Sequence, residues 1–555
     1  MLEGFCVTRL MIAAAAIALL AGGPAVAQDR HGISPANLSE TVKLLASDAF
    51  EGRAPGTAGE AKTVDWLIAR FKALGLQPGG RDGGWTQPVA LLHTRIGSGG
   101  TMRAAGMTLE QKESIYVSTV RPVDRVAIAN APMVFVGYGV TAPERGWDDF
   151  KGVDLTGKIA VFLVNDPDFE AAAGDDAAGR FGDRRMTYYG RWTYKFEEAA
   201  RRGAIGALIV HDTPGAGYGW DTVIAPAGEN YDIVRSDPNQ RVLLQGWLQG
   251  DAAAALFRQA GLDLAAQRKS ARSTAFRPVT LDGVNFSADL PVTHERLESR
   301  NLLARLPGAG HADEYVMFGA HWDAYGVGAP DAEGRTVRAG ANDDALGVAA
   351  VLELARVLSA GPRPDRSLLF ALWTAEERGL LGSEAYAVDP VYPLEKTAAN
   401  LTLDILQTAG PARDVMLVGQ GQNGLERDLA TAATTQGRVV TPEALPERGL
   451  FYRADHFPLA RRGVPTLLLM AISGAPDLVA GGRAAGEQWL KGYMACYHQP
   501  CDSWSADWDL RGAADDVALA RDVGLKIANG RDWPSWNAGS EFDATRRQSD
   551  AERGR

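Results

Sequence analysis

Positive charge is in short supply in this chain of 555 residues. Lys and Arg number 57 against 68 Asp and Glu, for a net charge of -11 and a pI of about 5.4. No basic stripe is available to displace counterions along phosphates, which argues against a nucleic-acid partner. Long apolar runs are missing as well. Leu10 to Gly22 is the one candidate, and it is too short for a typical membrane span. It ends at Ala25-Val26-Ala27 ahead of the polar Gln28-Asp29-Arg30, with Arg9 as its positive flank. Residues 1–27 therefore have the form of a cleaved signal peptide. The mature protein is expected to be exported, to the periplasm or the medium, with no stable membrane anchor. Cysteine is scarce too, with three in all. Cys6 would leave with the signal, and Cys496 and Cys501, close together in an oxidising compartment, are a plausible disulfide. Histidine numbers only eight, so two of them in one chemical neighbourhood carry weight.

The remaining composition, 46% hydrophobic, is ordinary for folded domains and too long for one of them. Helical periodicity runs from about Ser34 to Leu76. Ser39 is a candidate cap for a helix through Val42 and Leu45, and Val64, Leu67, Ile68, Phe71 and Leu74 recur at 3.6-residue spacing before Gly75 stops the pattern. From about 131 to 289 short β-rich runs (133–136, 159–164, 205–210) alternate with turn residues around one helix-like stretch, 194–202, which predicts an inserted β-rich module. From Leu302 onward strands at 315–320, 368–373, 401–406 and 464–470 alternate with helices, among them 344–358. That pattern predicts an α/β domain with a mostly parallel mixed sheet flanked by helices. The expected organisation is a signal at 1–27, an N-terminal part of the main domain at 28–130, the inserted module at 131–289, the main domain at 290–536 and a polar, disordered tail at 537–555.

Functional groups in such sheets collect beyond the carboxyl ends of strands. Those ends carry His321-Trp322-Asp323, then Asn342-Asp343-Asp344 ahead of a helix, then Glu376-Glu377, then Asp404, and near the C-terminus Tyr497-His498. Each is weak alone: Asp343-Asp344 reads as a helix cap and Glu376-Glu377 as solvated surface. Asp404 is harder to dismiss, since a buried carboxylate needs a partner. Together they supply two imidazoles and several carboxylates, a donor mixture that suits zinc better than calcium or magnesium.

The series G-A-H-x-D from Gly319, G-A-x-D-D from Gly340, E-E-x-G-L-L-G-S from Glu376, an Asp ending a strand at 404 and Y-H-x-P-x-D from Tyr497 resembles the M28 family of zinc peptidases. Phe50-Glu51-Gly52-Arg53 resembles that family's N-terminal region. Gly137-Tyr138-Gly139, 154–159 and 199–209 resemble the protease-associated (PA) domain often inserted in it. The resemblance implies a phosphorylase/hydrolase-like zinc exopeptidase fold, two Zn2+ ions and peptide substrates with free N-termini. Carried over residue by residue, it implies that Asp343 bridges the ions, with His321 and Asp404 completing one site and Glu377 and His498 the other. Glu376 would be the general base, Tyr497 would hydrogen-bond the oxyanion, and Asp323 would accept the second ring N–H of His321. Asp344 would hold the turn. Tyr452 to Phe457 resembles a stretch near the family's substrate cleft. Three alternatives stay open: a carboxypeptidase or dipeptidase, for which Arg453 and Arg461-Arg462 are the candidate carboxylate holders; a one-zinc glutaminyl cyclase-like enzyme, against which the full ligand set argues; and a binding protein on a dead peptidase fold.

Overall fold

The computed structural model describes residues 32–553; the expected signal peptide, 1–27, lies outside the described residues. The chain enters through α1 (Pro35–Leu45) and α2 (Ala58–Ala73). Ser34, not Ser39, caps α1: its side chain accepts from the N–H of Asn37, and Pro35 follows at the first helical position, where its missing N–H costs nothing. Ser39 sits inside the helix and accepts the indole N–H of Trp504. Either serine has the right chemistry; the proline decides between them.

The main sheet runs β1 (Thr86–Ile96), β2 (Val279–Leu306), β3 (His311–His321), β4 (Arg366–Trp373), β5 (Thr397–Leu403) and β6 (Thr466–Leu469) in chain order. In space β3 lies between β4 and β5, and β6 lies beyond β5, all four parallel. β2 pairs antiparallel with β4 and with β1 on the other side. The result is the mixed, mostly parallel sheet that the alternation of elements predicts. Successive side chains of a strand point to opposite faces. Val316, Phe318, Leu368 and Phe370 accordingly pack on α1, α2, α3 (Leu346–Ala360) and helix 511–529, while Met317, Leu369, Ala371 and Trp373 pack on α4 (Leu381–Val388) and the segment 459–464. Both faces are covered, which is why these strands read as unbroken apolar runs rather than alternating ones.

β2 belongs to two sheets. Its first half, 279–291, pairs with the strand Arg125–Phe135 of the inserted module, and its second half, 292–306, pairs in the main sheet. Beyond Arg125–Phe135 the module continues through Ile159–Leu163, Gly206–Val210 and Leu244–Leu248 in parallel, closed by Ile115–Ser118 antiparallel. The module therefore begins earlier than residue 131: Thr101–Ala104 pairs with 286–289, and Met102, Ile115 and Val117 lie in its core. Strands whose partners are so distant in sequence leave no local trace of where they belong.

The polar tail is also different from the expectation of disorder at 537–555. Residues 543–552 form helix Asp543–Glu552. Arg546 on it is buried and donates to the carbonyls of Thr397 and Ala398, and Phe542 packs with Trp536 against Phe451. Composition alone misses this because a few side chains, Glu541, Phe542, Arg546 and Arg553, anchor an otherwise polar segment. No described helix is long and apolar enough to cross a membrane.

Candidate metal centre

The strand ends bring five ligand candidates together around Asp343. One oxygen of its carboxylate lies 3.1 Å from Nε2 of His321, the last residue of β3, and the other lies 3.2 Å from Nε2 of His498. His498 Nε2 is also 3.3 Å from Glu377, just past β4. Asp404, one residue past β5, completes the arrangement. His321, Asp343 and Asp404 form one group, and Asp343, Glu377 and His498 a second, each with one ligand atom per residue, all within 4.8 Å of one another. Asp343 is common to both.

The electrostatics fit a cation. Asp404 is buried and one of its oxygens has no hydrogen-bond partner. Burial pushes its carboxyl up to about 7, and the negative charge of Asp343 adds to the shift. Burial likewise raises Glu376 and Glu377 well above the carboxylate range, each also repelled by a neighbouring carboxylate. Burial acts on Asp343 in the same direction, but the bonds from His321 and His498 outweigh it and hold Asp343 below its ordinary value. A buried cluster with more carboxylates than partners is what a multivalent cation offsets. The donor set of imidazole nitrogen and carboxylate oxygen suits zinc.

Glu376 reaches the same space, 3.9 Å from His321 Nε2. Ala375 before it and His498 itself adopt left-handed backbone (φ 53° and 61°), a conformation that costs a residue with a Cβ about 1 kcal/mol or more. Asp323 works differently from the role implied above. His321 Nδ1 lies closer to the backbone carbonyl of Asp323, at 3.1 Å, than to its carboxylate, at 3.6 Å. The carboxylate instead accepts the backbone N–H of Glu376 at 3.1 Å. One residue thereby orients both a ligand candidate and the base candidate. Asp344 holds the turn: it accepts the N–H groups of His321 and Gly347.

Three supporting residues escaped sequence reasoning. Asp502 accepts the N–H groups of Asn342 and Asp343, both at 3.0 Å. It is the last residue of Y-H-x-P-x-D, a signal that was on view without a role. Tyr325 Oη lies 3.0 Å from Nδ1 of His498; nothing in the sequence marks it. Arg53 is fully buried and donates to the carbonyls of Leu45, Trp322, Ala339 and Gly340 at 2.6–2.8 Å. It ties α1 to the loops that carry His321 and Asp343. Arg53→Met should therefore destabilise the fold by about 2–4 kcal/mol, since it leaves several buried carbonyls unpaired. Chemical denaturation checks this; a loss below about 0.5 kcal/mol would mean water replaces the guanidinium.

Cys496 and Cys501 are bonded, closing the loop that carries Tyr497 and His498. Reducing the bridge should weaken metal retention about tenfold, the lower end of what loss of a positioning partner costs. A chelator competition before and after reduction reads this; equal affinities would leave the bridge a purely structural clamp.

A cavity of about 290 Å3 opens beside Glu376, Glu377 and Tyr497. The inserted module contributes Trp192 and Phe196 to its lining, and Tyr231 joins them from the strand Glu229–Ile233, which pairs with β1 of the main sheet. Of the Tyr452–Phe457 stretch, Tyr452, Arg453 and Phe457 line this space. His456 does not: it is fully buried against Phe451, and burial holds its ring down at about 3, neutral at any ordinary pH.

An α/β sheet gathers carboxylates and imidazoles at its carboxyl edge, in two groups that could each hold a metal ion. Residues 301–521 match the model of Peptidase family M28, a span that contains all eight site candidates. Leupeptin-inactivating enzyme 1 of Streptomyces exfoliatus is 30% identical over 245 residues, 43% of this chain and 52% of its own. The probable lipoprotein aminopeptidase LpqL of Mycobacterium tuberculosis is 30% identical over 192 residues, 32% of this chain and 35% of its own. The chain thus spans about half the length of the first relative and a third of the second. Among solved structures, an aminopeptidase from Aneurinibacillus sp. strain AM-1 covers 90% of this chain and 94% of its own at 22% identity, with a TM-score of 0.48.

Proposed function

We propose that the protein is an exported aminopeptidase that works with two zinc ions and releases single residues from the N-termini of peptides. The observation that carries this reading is the Asp343 carboxylate standing between two imidazoles, each with a further carboxylate beside it. His321, Asp343 and Asp404 would hold one ion, and Asp343, Glu377 and His498 the other. Zinc held there would supply a water of lowered pKa and a Lewis acid for the scissile carbonyl.

The chain's own residues supply the remaining chemistry. Glu376, 3.9 Å from His321 and at the edge of the cavity, takes the proton of the attacking water and passes it to the leaving amine. Tyr497, kept protonated chiefly by burial, donates to the developing oxyanion. The Asp323 carbonyl accepts the Nδ1 proton of His321 and so leaves Nε2 free to ligate. The inserted module is read as a PA domain that walls the substrate cavity. Export is supported by the N-terminal apolar stretch and the Cys496–Cys501 bond.

A digest of mixed peptides by the zinc-loaded protein, read by mass spectrometry, tests the reading. Ladders trimmed from the N-terminus and blocked by N-acetylation are expected. Trimming from the C-terminus would replace it with a carboxypeptidase, the second reading, which Arg453 beside Tyr497 favours. No cleavage with two zincs bound would overturn both.

A further inference from the structure

Six arginines line the cavity: Arg191, Arg235, Arg241, Arg378, Arg453 and Arg461. Three are neutralised where they stand. Arg235 and Arg241 both bond Asp232, and Arg461 bonds Glu197 at 2.7 Å with Glu384 at 3.4 Å. Arg461, a carboxylate-holder candidate on sequence grounds, is therefore spent on joining the module to the main domain. Arg378 stacks on Tyr231 and Tyr325.

Arg191 and Arg453 are different. Neither makes an ion pair among the described residues. Arg191, at the start of the module's helix Trp192–Arg201, is only 9% exposed, and its buried Nε has no hydrogen-bond partner. Arg453 comes from the main domain and makes one long contact, 3.5 Å to the hydroxyl of Tyr497. Burial lowers Arg191 to about 10, and the like charge of Arg453 pushes it the same way. The fold thus holds two guanidiniums, one from each domain, at one cavity and within reach of each other's field; no carboxylate among the described residues is in ion-pair contact with either, and Arg453 feels the charges of Glu376 and Asp404 only at longer range. Buried cations are ordinarily paired, and a planar guanidinium pair is the preferred cradle for a carboxylate.

We propose that Arg191 and Arg453 form a carboxylate subsite, so that the enzyme favours peptides carrying a carboxylate next to the scissile bond. This rests on the exopeptidase reading above. The carboxylate has two sources, the free C-terminus of a dipeptide or an Asp or Glu side chain in either residue flanking the bond. The inserted module is then a part of the specificity site rather than a separate appendage.

Four matched peptides separate the sources: Leu-Ala amide as the neutral baseline, Leu-Ala with a free C-terminus, Glu-Ala amide and Leu-Glu amide. At least one charged peptide should exceed the baseline about tenfold or more in kcat/KM, chiefly through KM, as a charge-assisted contact implies. In Arg191→Met that ratio should fall towards one, and Arg191→Lys should keep part of it, since a point charge replaces the fork. Equal rates for all four peptides on the unaltered protein would overturn the proposal without any variant having to fold. So would a ratio that survives Arg191→Met. Titrating the same peptides into Glu376→Gln reads binding apart from turnover. Tenfold tighter binding of a charged peptide by a protein whose unaltered form cleaves none of the four would keep the carboxylate subsite and discard the peptidase reading.

Discussion

Glu376→Gln is expected to lower kcat by about 10²–10⁴-fold, the usual worth of a positioned general base, while both metal ions stay bound. The substitution is nearly isosteric and removes only the ability to take a proton. The backbone of Glu376 remains held by Asp323, so the loop keeps its shape. Glu376 is outside both groups of ligand candidates, although its carboxylate is 3.9 Å from His321. Its adjacent position to Glu377 explains the division: two consecutive residues past a strand end diverge, so Glu377 reaches His498 at 3.3 Å while Glu376 turns toward His321 at 3.9 Å, both at the edge of the cavity. Turnover by stopped assay and metal content by plasma mass spectrometry together decide the matter. A variant that loses a metal would show that Glu376 is a ligand.

Asp343→Asn should weaken both metal sites at once. Replacing a group that merely orients a ligand costs about 10–100-fold in metal affinity; a carboxylate shared by two sites should cost at least the upper figure at each. The two oxygens of Asp343 face different imidazoles, at 3.1 and 3.2 Å, and an amide would offer one of them a nitrogen that cannot ligate as a carboxylate does. Metal stoichiometry against a graded chelator is the measurement. Loss of one ion with tight retention of the other would confine Asp343 to a single site, and retention of both would remove its bridging role.

How far the site was legible depends on the kind of information each residue carries. His321, Glu377 and Asp404 follow strands whose apolar runs are plain in the sequence, and a ligand candidate just past a strand end can be named from chain order. Asp323 was expected to meet His321 through its carboxylate, which lies 3.6 Å from Nδ1. A sequence displays side chains, and here the backbone carbonyl makes the closer contact. Tyr325 was unmarked, and Arg53, though quoted within Phe50-Glu51-Gly52-Arg53, had no role, because their partners lie far off in sequence: His498 for the first, and carbonyls at 322, 339 and 340 for the second.

The sequence by itself determined the alternation of strand and helix in the main domain and the order of its chemistry-bearing residues, and it made the pairing of its two nearby cysteines plausible. All three rest on local information: periodicity, turn residues and spacing. Only the tertiary structure decided that β2 serves two sheets, that the module begins before residue 131 and that the tail docks as a helix. It alone revealed that Arg461 is neutralised while Arg191 and Arg453 are not. Those outcomes depend on which distant groups meet, and burial sets the energy of each meeting by making an unpaired charge or carbonyl costly.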